Sequence, residues 1–470
     1  QTPAVSIRHL EKNFRIISKE MRTGVLDGLF IAGLLALEIV AIFMYGFYFK
    51  HVNEGDMSVS GKLANMVSKL FPNFQDVHII VFFGFSFLLT SFHKFRASSI
   101  VQCFWVSAIS IQFYILWRVF WSNIFEFDGK ARDFILDPTV MVRADFCALA
   151  MTIIVSATMG KVNDFQYLLI SILGTCLYAL NESLCLSLPI MFGVDDGGAM
   201  IIHIFAAFFG IGISLILTYR NNPSFSVSFP TSFNHQIASL IATLFIWCYM
   251  PSFNSAAVLT EIGRQKAILN TYFAMIGSVV LSYATSKLVT QGNRFSLAQL
   301  FHSSLSGGIV VGALAQYLND GFWAYIFGGV MGILTTAYFR FILPRLEKSG
   351  TAALAPQIAL HAFPGVLGGL LSAIVVGYYT GNRGATQVAT TFISLFIGLL
   401  GGVIVGLIVR AFHDGDNNDP NWGLSSIAVE DRDEVLRAAQ YASVPHAVYT
   451  GALPHPAEQD QGPRIYNMSP

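Results

Sequence analysis

The feature that most constrains this chain is the recurrence of long apolar runs. A helix needs about 20 predominantly apolar residues to cross the ~30 Å hydrocarbon core of a bilayer. Runs near that length lie at about 24–49, 76–92, 98–122, 143–160, 165–184 and 197–219, and again at about 237–252, 268–288, 296–317, 322–343, 355–379 and 387–412. Backbone in lipid must satisfy its own hydrogen bonds, so the runs predict an all-α membrane protein of about twelve spans. Those at 143–160 and 237–252 are short or weakly bounded, and a count of eleven also fits. Only 12% of the 470 residues are charged, against roughly 25% in soluble domains. Formal net charge is zero with no basic block, which excludes nucleic acid as a partner.

Loop charges orient the spans. Lys94, Arg96, Lys161, Arg220, Lys287, Arg294, Arg340, Arg345, Lys348 and Arg410 fall on one side, which the N-terminal Arg8, Lys12, Arg15, Lys19 and Arg22 share. By the positive-inside rule this side is cytoplasmic, as are both termini. Glu54, Asp56, Glu126, Asp128, Asp133, Asp137, Glu182, Asp195, Asp196 and Glu261 fall on the other, so a cation meets the acidic face first. Three regions follow: a cytosolic segment 1–23, a membrane domain 24–412 and a cytosolic tail 413–470, in which 427–439 is amphipathic and predicts a short helix under the bundle. The first run exceeds a signal-peptide core and reads as a retained helix. Cys103, Cys147, Cys176, Cys185 and Cys248 lie in or beside apolar runs and read as small core residues. Asn181-Glu182-Ser183 and Asn467-Met468-Ser469 match the glycosylation pattern, but one abuts a span and the other is predicted cytosolic, so neither is expected to be used.

Two spans carry a histidine in matching surroundings, His203 in Ile202-His203-Ile204-Phe205 and His361 in Leu360-His361-Ala362-Phe363. The same alignment sets Gly210 on Gly368, at an offset of 361 − 203 = 158 residues. Five predicted spans fill that offset. An odd number reverses direction, so the two sets form an inverted five-helix repeat with a site near the midplane, and the first helix stands outside it. Ionisable residues inside spans are rare and face a bundle interior or a pathway. Desolvation keeps buried imidazoles neutral, and two such rings can bond each other while presenting their outward nitrogens to a small polar molecule. A pore of this kind penalises ions, because burying an unpaired ammonium costs far more than a few kcal/mol. With a pKa about two units above neutrality, ammonium sheds its proton at pH 7 for ~3 kcal/mol. Potassium has no proton to shed and is rejected.

Several strings occur together: Asp76-Val77-His78-Ile79-Ile80-Val81-Phe82-Phe83-Gly84-Phe85, Ala144-Asp145-Phe146-Cys147, Gly160-Lys161-Val162, Asn181-Glu182, Met250-Pro251-Ser252-Phe253-Asn254-Ser255, Asn270-Thr271-Tyr272 and both histidine segments. With them the chain resembles, over about residues 10–412, the Rhesus branch of the Amt/Rh ammonium-transporter family. The resemblance implies a homotrimer in the lipid bilayer, one pore per subunit, and conduction of ammonia after ammonium is recruited and deprotonated, with no cofactor, no metal and no enzymatic step. It places His203 and His361 as pore histidines and Phe146 and Phe253 as stacked phenyl rings closing the outer mouth. It places Glu182 in the outer vestibule, although a solvated loop charge is the other reading. Asp195 corresponds to an aspartate that either orients carbonyls towards the cation or caps its helix, about 12 Å of helix from His203. Asn254 is expected to hydrogen-bond near the gate, and Asp145 to be structural.

The chain departs from the pattern towards the inner end. Ala362-Phe363 follows the second histidine where the branch has Gly-Ile, Ile358-Ala359 replaces paired asparagines, Phe301-His302-Ser303-Ser304 lacks the usual Asn-Ala-Thr, and Ser296 stands at an acidic position. Bulk beside His361 is expected to narrow the inner pore, and His302 reads as an interhelical histidine or a further pore residue. Two other functions stay open: a carbon dioxide or methylammonium pathway through the same pore, and a non-conducting structural or sensory member of the family.

Overall fold

The computed structural model describes residues 3–50, 70–89, 96–125, 134–159, 161–188, 191–217, 233–290, 292, 294–348 and 357–412. The tail from 413, including the stretch 427–439, lies outside them. The described chain is helical apart from loops and one parallel two-residue pairing of Phe49–Lys50 with Phe134–Ile135. In order, the helices are α1 (Pro3–Tyr48), α2 (70–89), α3 (Arg96–Phe125), α4 (Pro138–Thr158), α5 (Asp164–Ser187), α6 (Ala199–Leu217), α7 (Phe233–Ser255), α8 (Glu261–Val289), α9 (Leu297–Val311), α10 (Gly321–Leu346), α11 (Ile358–Thr380) and α12 (Gly384–Arg410). Among the described residues, ten of these are long and apolar enough to cross a membrane, the exceptions being α2 and α9. The expected boundary at residue 23 does not interrupt the backbone, which runs helical from Pro3 into the first span.

The helix starts follow from local sequence. Asp137 caps α4 by accepting from Val140 N, with Pro138 in the first turn, where its missing N–H costs nothing. Asn163 and Gln166 form a reciprocal capping box at α5. Thr260 and Asp320 cap α8 and α10. The run expected at 296–317 is shorter than a span. It is helical for 15 residues, about 22 Å at 1.5 Å per residue. The chain then leaves the helix, because the Gly312 carbonyl accepts from Gly197 N at 3.0 Å, and a 3₁₀ turn Ala315–Tyr317 follows.

Packing relations recur between the two halves. Helix α3 packs on α4 and α5, as α8 packs on α9 and α10; α4 packs on α6, as α9 packs on α11; and α2 packs on α4, as α7 packs on α9. The aligned glycines behave alike. A Cβ at Gly210 of α6 would stand 2.6 Å from Ala157 of α4, and one at Gly368 of α11 would stand 2.5 Å from the Val310 carbonyl of α9. Both pairs therefore approach too closely for a side chain. Helix α1 lies apart, largely exposed along its span and touching the bundle along α5. A continuous core, drawn mostly from the first half of the chain, includes Phe85, Tyr114, Phe146, Tyr178, Ile202, Phe205, Phe253 and Leu360.

Candidate functional site

Each histidine is the fifth residue of a six-residue π turn, Ala199–Ile204 for His203 and Gln357–Ala362 for His361, that passes directly into an α-helix. π turns widen a helix and are frequent at functional sites. The first begins after Gly198, whose φ of +67° suits glycine alone at little cost. Across the interface His203 Nδ1 and His361 Nδ1 lie 3.0 Å apart, and the ring planes differ by 6° with centroids 5.1 Å apart. One Nδ1–H donates to the other Nδ1, so the two rings must hold opposite tautomers. One outward Nε2 is then an acceptor and the other a donor. Both side chains are buried, and His203 Nε2 has no protein hydrogen-bond partner among the described residues.

Phe146 of α4 and Phe253 near the end of α7 meet with centroids 4.7 Å apart. They do not stack as expected: their planes are tilted by 43°. A tilted arrangement avoids the face-to-face repulsion of the two ring quadrupoles. Asn254, next in sequence, donates from Nδ2 to Thr271 Oγ1 at 3.0 Å and to the Gly308 carbonyl at 2.8 Å, tying α7 to α8 and α9. Its Oδ1 is buried without a protein partner.

The acidic residues of the site are all engaged by protein groups. Glu182 is 1% exposed, so it is not the solvated loop charge that was its other reading. Its Oε1 accepts from Arg143 at 2.6 Å, and its Oε2 accepts from Tyr114 Oη at 2.5 Å and from Arg118 at 3.3 Å. Two guanidiniums thus neutralise it, and neither oxygen is left open to a cation. Asp195 caps: its Oδ2 accepts from Met200 N at 2.8 Å and Ile201 N at 2.7 Å. The interval to His203 is not eight residues of helix, since the helix begins only at Ala199. Burial pushes the Asp195 carboxyl up to about 7, against the backbone donors that favour its charged form. Burial likewise lifts neighbouring Asp196, which bonds Gln316 Nε2, to about 6. Asp145 is buried and accepts from His78 Nδ1.

At the inner end Phe363 is exposed rather than packed at the ring pair, so the bulk expected beside His361 does not arise there. His302 is buried and faces Phe339 at 5.1 Å between ring centroids. The sequence reading missed three neighbours. Phe85 lies 5.8 Å from the His361 ring, and Arg143 and Arg118 clamp Glu182. The arginines carried a usable signal, since a basic residue in an apolar span requires an acid opposite. Phe85 stood in the string 76–85 that carries the resemblance, but nothing there set it apart from the other 40 phenylalanines as a neighbour of His361.

The sequence profile of the Ammonium Transporter Family matches residues 34–414. Ammonium transporter Rh type C of Oncorhynchus mykiss is 30% identical over 348 residues, which cover 72% of this chain and 69% of that protein. Ammonium transporter Rh type B of Sus scrofa is 36% identical over 313 residues, 66% of each. Among solved structures, Rh50 of Nitrosomonas europaea superposes with a TM-score of 0.66 at 25% identity, covering 81% of this chain and 98% of that one. A sensor Amt protein shares the fold with a TM-score of 0.61 at 17% identity, over 82% of this chain and all of that one.

Proposed function

Because this chain belongs to the ammonium transporter family, a family of membrane transporters and not of enzymes, we propose that it recruits ammonium at its acidic face and conducts ammonia past His203 and His361. The observation that carries this reading is the buried imidazole pair, 3.0 Å apart at Nδ1, with His203 Nε2 committed to no protein group. One acceptor and one donor nitrogen face outward in a site where no described carboxylate bonds the rings, which suits neutral ammonia better than a cation. Phe146 and Phe253 shut the approach to hydrated ions and offer an incoming ammonium a cation–π contact. Asp195 supports the pair by capping the turn that carries His203, and Asn254 locks the gate-bearing end of α7. Glu182 acts through Arg143 and Arg118, holding α3, α4 and α5 together beside the mouth. We further place both termini in the cytoplasm, from the distribution of lysine and arginine, and assign the protein to the plasma membrane as a homotrimer.

Stopped-flow uptake of ammonia into proteoliposomes, with empty vesicles as control, tests the reading. Wild-type protein should accelerate alkalinisation of the lumen, and His203→Ala or His361→Ala should lower the protein-dependent rate by about tenfold, the equivalent of 1.4 kcal/mol of lost hydrogen bonding. A wild-type rate equal to that of empty vesicles would leave a structural or sensory role. Acceleration of carbon dioxide or methylammonium entry without ammonia would shift the substrate.

A further inference from the structure

Helix α2 touches the proposed pathway at two levels. Near its middle His78 sits between the rings of Phe74 and Phe82 of the same helix, tilted by 40° and 42° to them, with centroids at 5.2 and 4.4 Å. Its Nδ1 lies 3.1 and 3.0 Å from the two carboxylate oxygens of Asp145 on α4. Asp145 immediately precedes the gate residue Phe146. The exposures are unequal: the His78 side chain is 45% exposed and that of Asp145 only 1%. Seven residues further along α2, at the end of the π-helical stretch Ile80–Phe85, Phe85 packs on the His361 ring.

Among the described residues no other charge acts on the pair. From α4 the group facing His78 is Asp145; α3 brings Cys103 to Ser86, well along the helix, and α7 presents Phe245 to Phe83 and Ile246 to Gly84. On α2 itself Asp76 lies two residues before His78. Asp145 is influenced by His78 alone among the described residues. The His78 side chain is not sealed within the protein, and an imidazole that meets water exchanges protons near neutral pH. When His78 carries two ring protons, it and the carboxylate sum to zero charge. When it carries one, Nδ1–H still donates to Asp145 and the geometry persists, but the pair holds one uncompensated negative charge beside Phe146.

We propose that His78 and Asp145 form a titratable positioning pair behind the Phe146–Phe253 gate, whose charge steps from zero to minus one as His78 loses its proton and thereby strengthens ammonium capture at neutral and alkaline pH. His78 is a positioning residue, acting through Asp145. The proposal rests on the reading of the protein as an ammonium transporter with its gate at the phenyl pair.

His78→Gln separates the charge from the bond, because the Gln amide donates to Asp145 at every pH while carrying no charge. The measurement is the ratio of variant to wild-type ammonium uptake in proteoliposomes, at subsaturating ammonium, from pH 5.5 to 8.5. Taking the ratio cancels the changing balance of ammonium and ammonia. It should be close to one at pH 8.5 and rise several-fold towards pH 5.5, and a ratio constant over the range would overturn the proposal. Asp145→Asn should raise the half-saturating ammonium concentration several-fold at pH 8.5. As a readout independent of transport, the pH dependence of His78 carbethoxylation by diethylpyrocarbonate, followed by mass spectrometry in wild-type protein and in Asp145→Asn, should show different midpoints. Identical midpoints would remove the pair as a titrating unit. Failure of the transport reading looks different: wild-type vesicles would show no uptake above empty ones at any pH, and the labelling result would still decide the pair.

Discussion

At the histidine pair the chemistry depends on a single contact between residues 158 positions apart. Opposite tautomers make one ring the donor, so a carboxylate in place of either ring changes both the charge and the relay. His203→Glu and His361→Glu should therefore lose ammonia flux or gain ammonium and potassium current; recording flux and current on the same assembled variants would detect either, and wild-type flux with no current would remove the pair from the pathway. Glu182 lends itself to an opposite kind of test. It is buried against Arg143 and Arg118, and removing one partner of a buried ion pair costs about 3 to 5 kcal/mol. Glu182→Gln should lower thermal stability in detergent markedly, whereas a residue that only recruited cations would leave stability unchanged and raise the half-saturating ammonium concentration.

Among the elements, α6 and α11 do corresponding work. Each begins with a π turn holding a histidine and carries a glycine pressed against a neighbouring helix, Gly210 on α4 and Gly368 on α9. Each glycine lies seven residues, about two helical turns, beyond its histidine, so a change in these contacts is expected to shift the turns that meet at the 3.0 Å bond. Gly368→Val would push against the Val310 carbonyl and separate α11 from α9. We expect a loss of stability of about 1 to 3 kcal/mol, the usual cost of overpacking, together with a fall in ammonia flux. Thermal unfolding and stopped-flow uptake on the same preparation would measure both, and unchanged values would mean the helices can part without disturbing the rings. The existence and type of these elements were plain in the sequence, because twenty apolar residues in a row have few other fates. The truncation of α9 at Val311 was not, since Gly312 looks like any small residue in an apolar run until Gly197 is seen to claim its carbonyl.

The molecule as a whole exposes long apolar faces, among them Ile262, Leu269, Tyr272 and Val280 along α8 and Phe392, Phe396, Leu400 and Ile404 along α12. In the proposed homotrimer, lipid and neighbouring subunits would share the cover of such faces. A detergent-corrected mass after mild extraction should equal three chains; a monomer alone would count against the trimer. What the sequence determined by itself is what a residue carries with it wherever it goes: hydropathy, which set the spans, loop charge, which set an expected orientation, and the two histidines placed in apolar surroundings. The family strings pointed to Phe146, Phe253 and Asn254, and the structure brings the two phenylalanines together with Asn254 next to them. Only the tertiary structure decided what depends on a partner. Glu182 reads as a vestibule acid in one dimension and is held by guanidiniums 39 and 64 residues earlier in the chain. Asp195 had two expected roles, and its Oδ2 contact with the first backbone N–H groups of α6 became visible only in the structure. The phenyl rings were expected to stack, and packing tilted them. Transfer from water to lipid is close to a sum over residues, so it can be read along the chain, whereas a buried polar group is satisfied or not by one neighbour whose place the packing of all the helices decides.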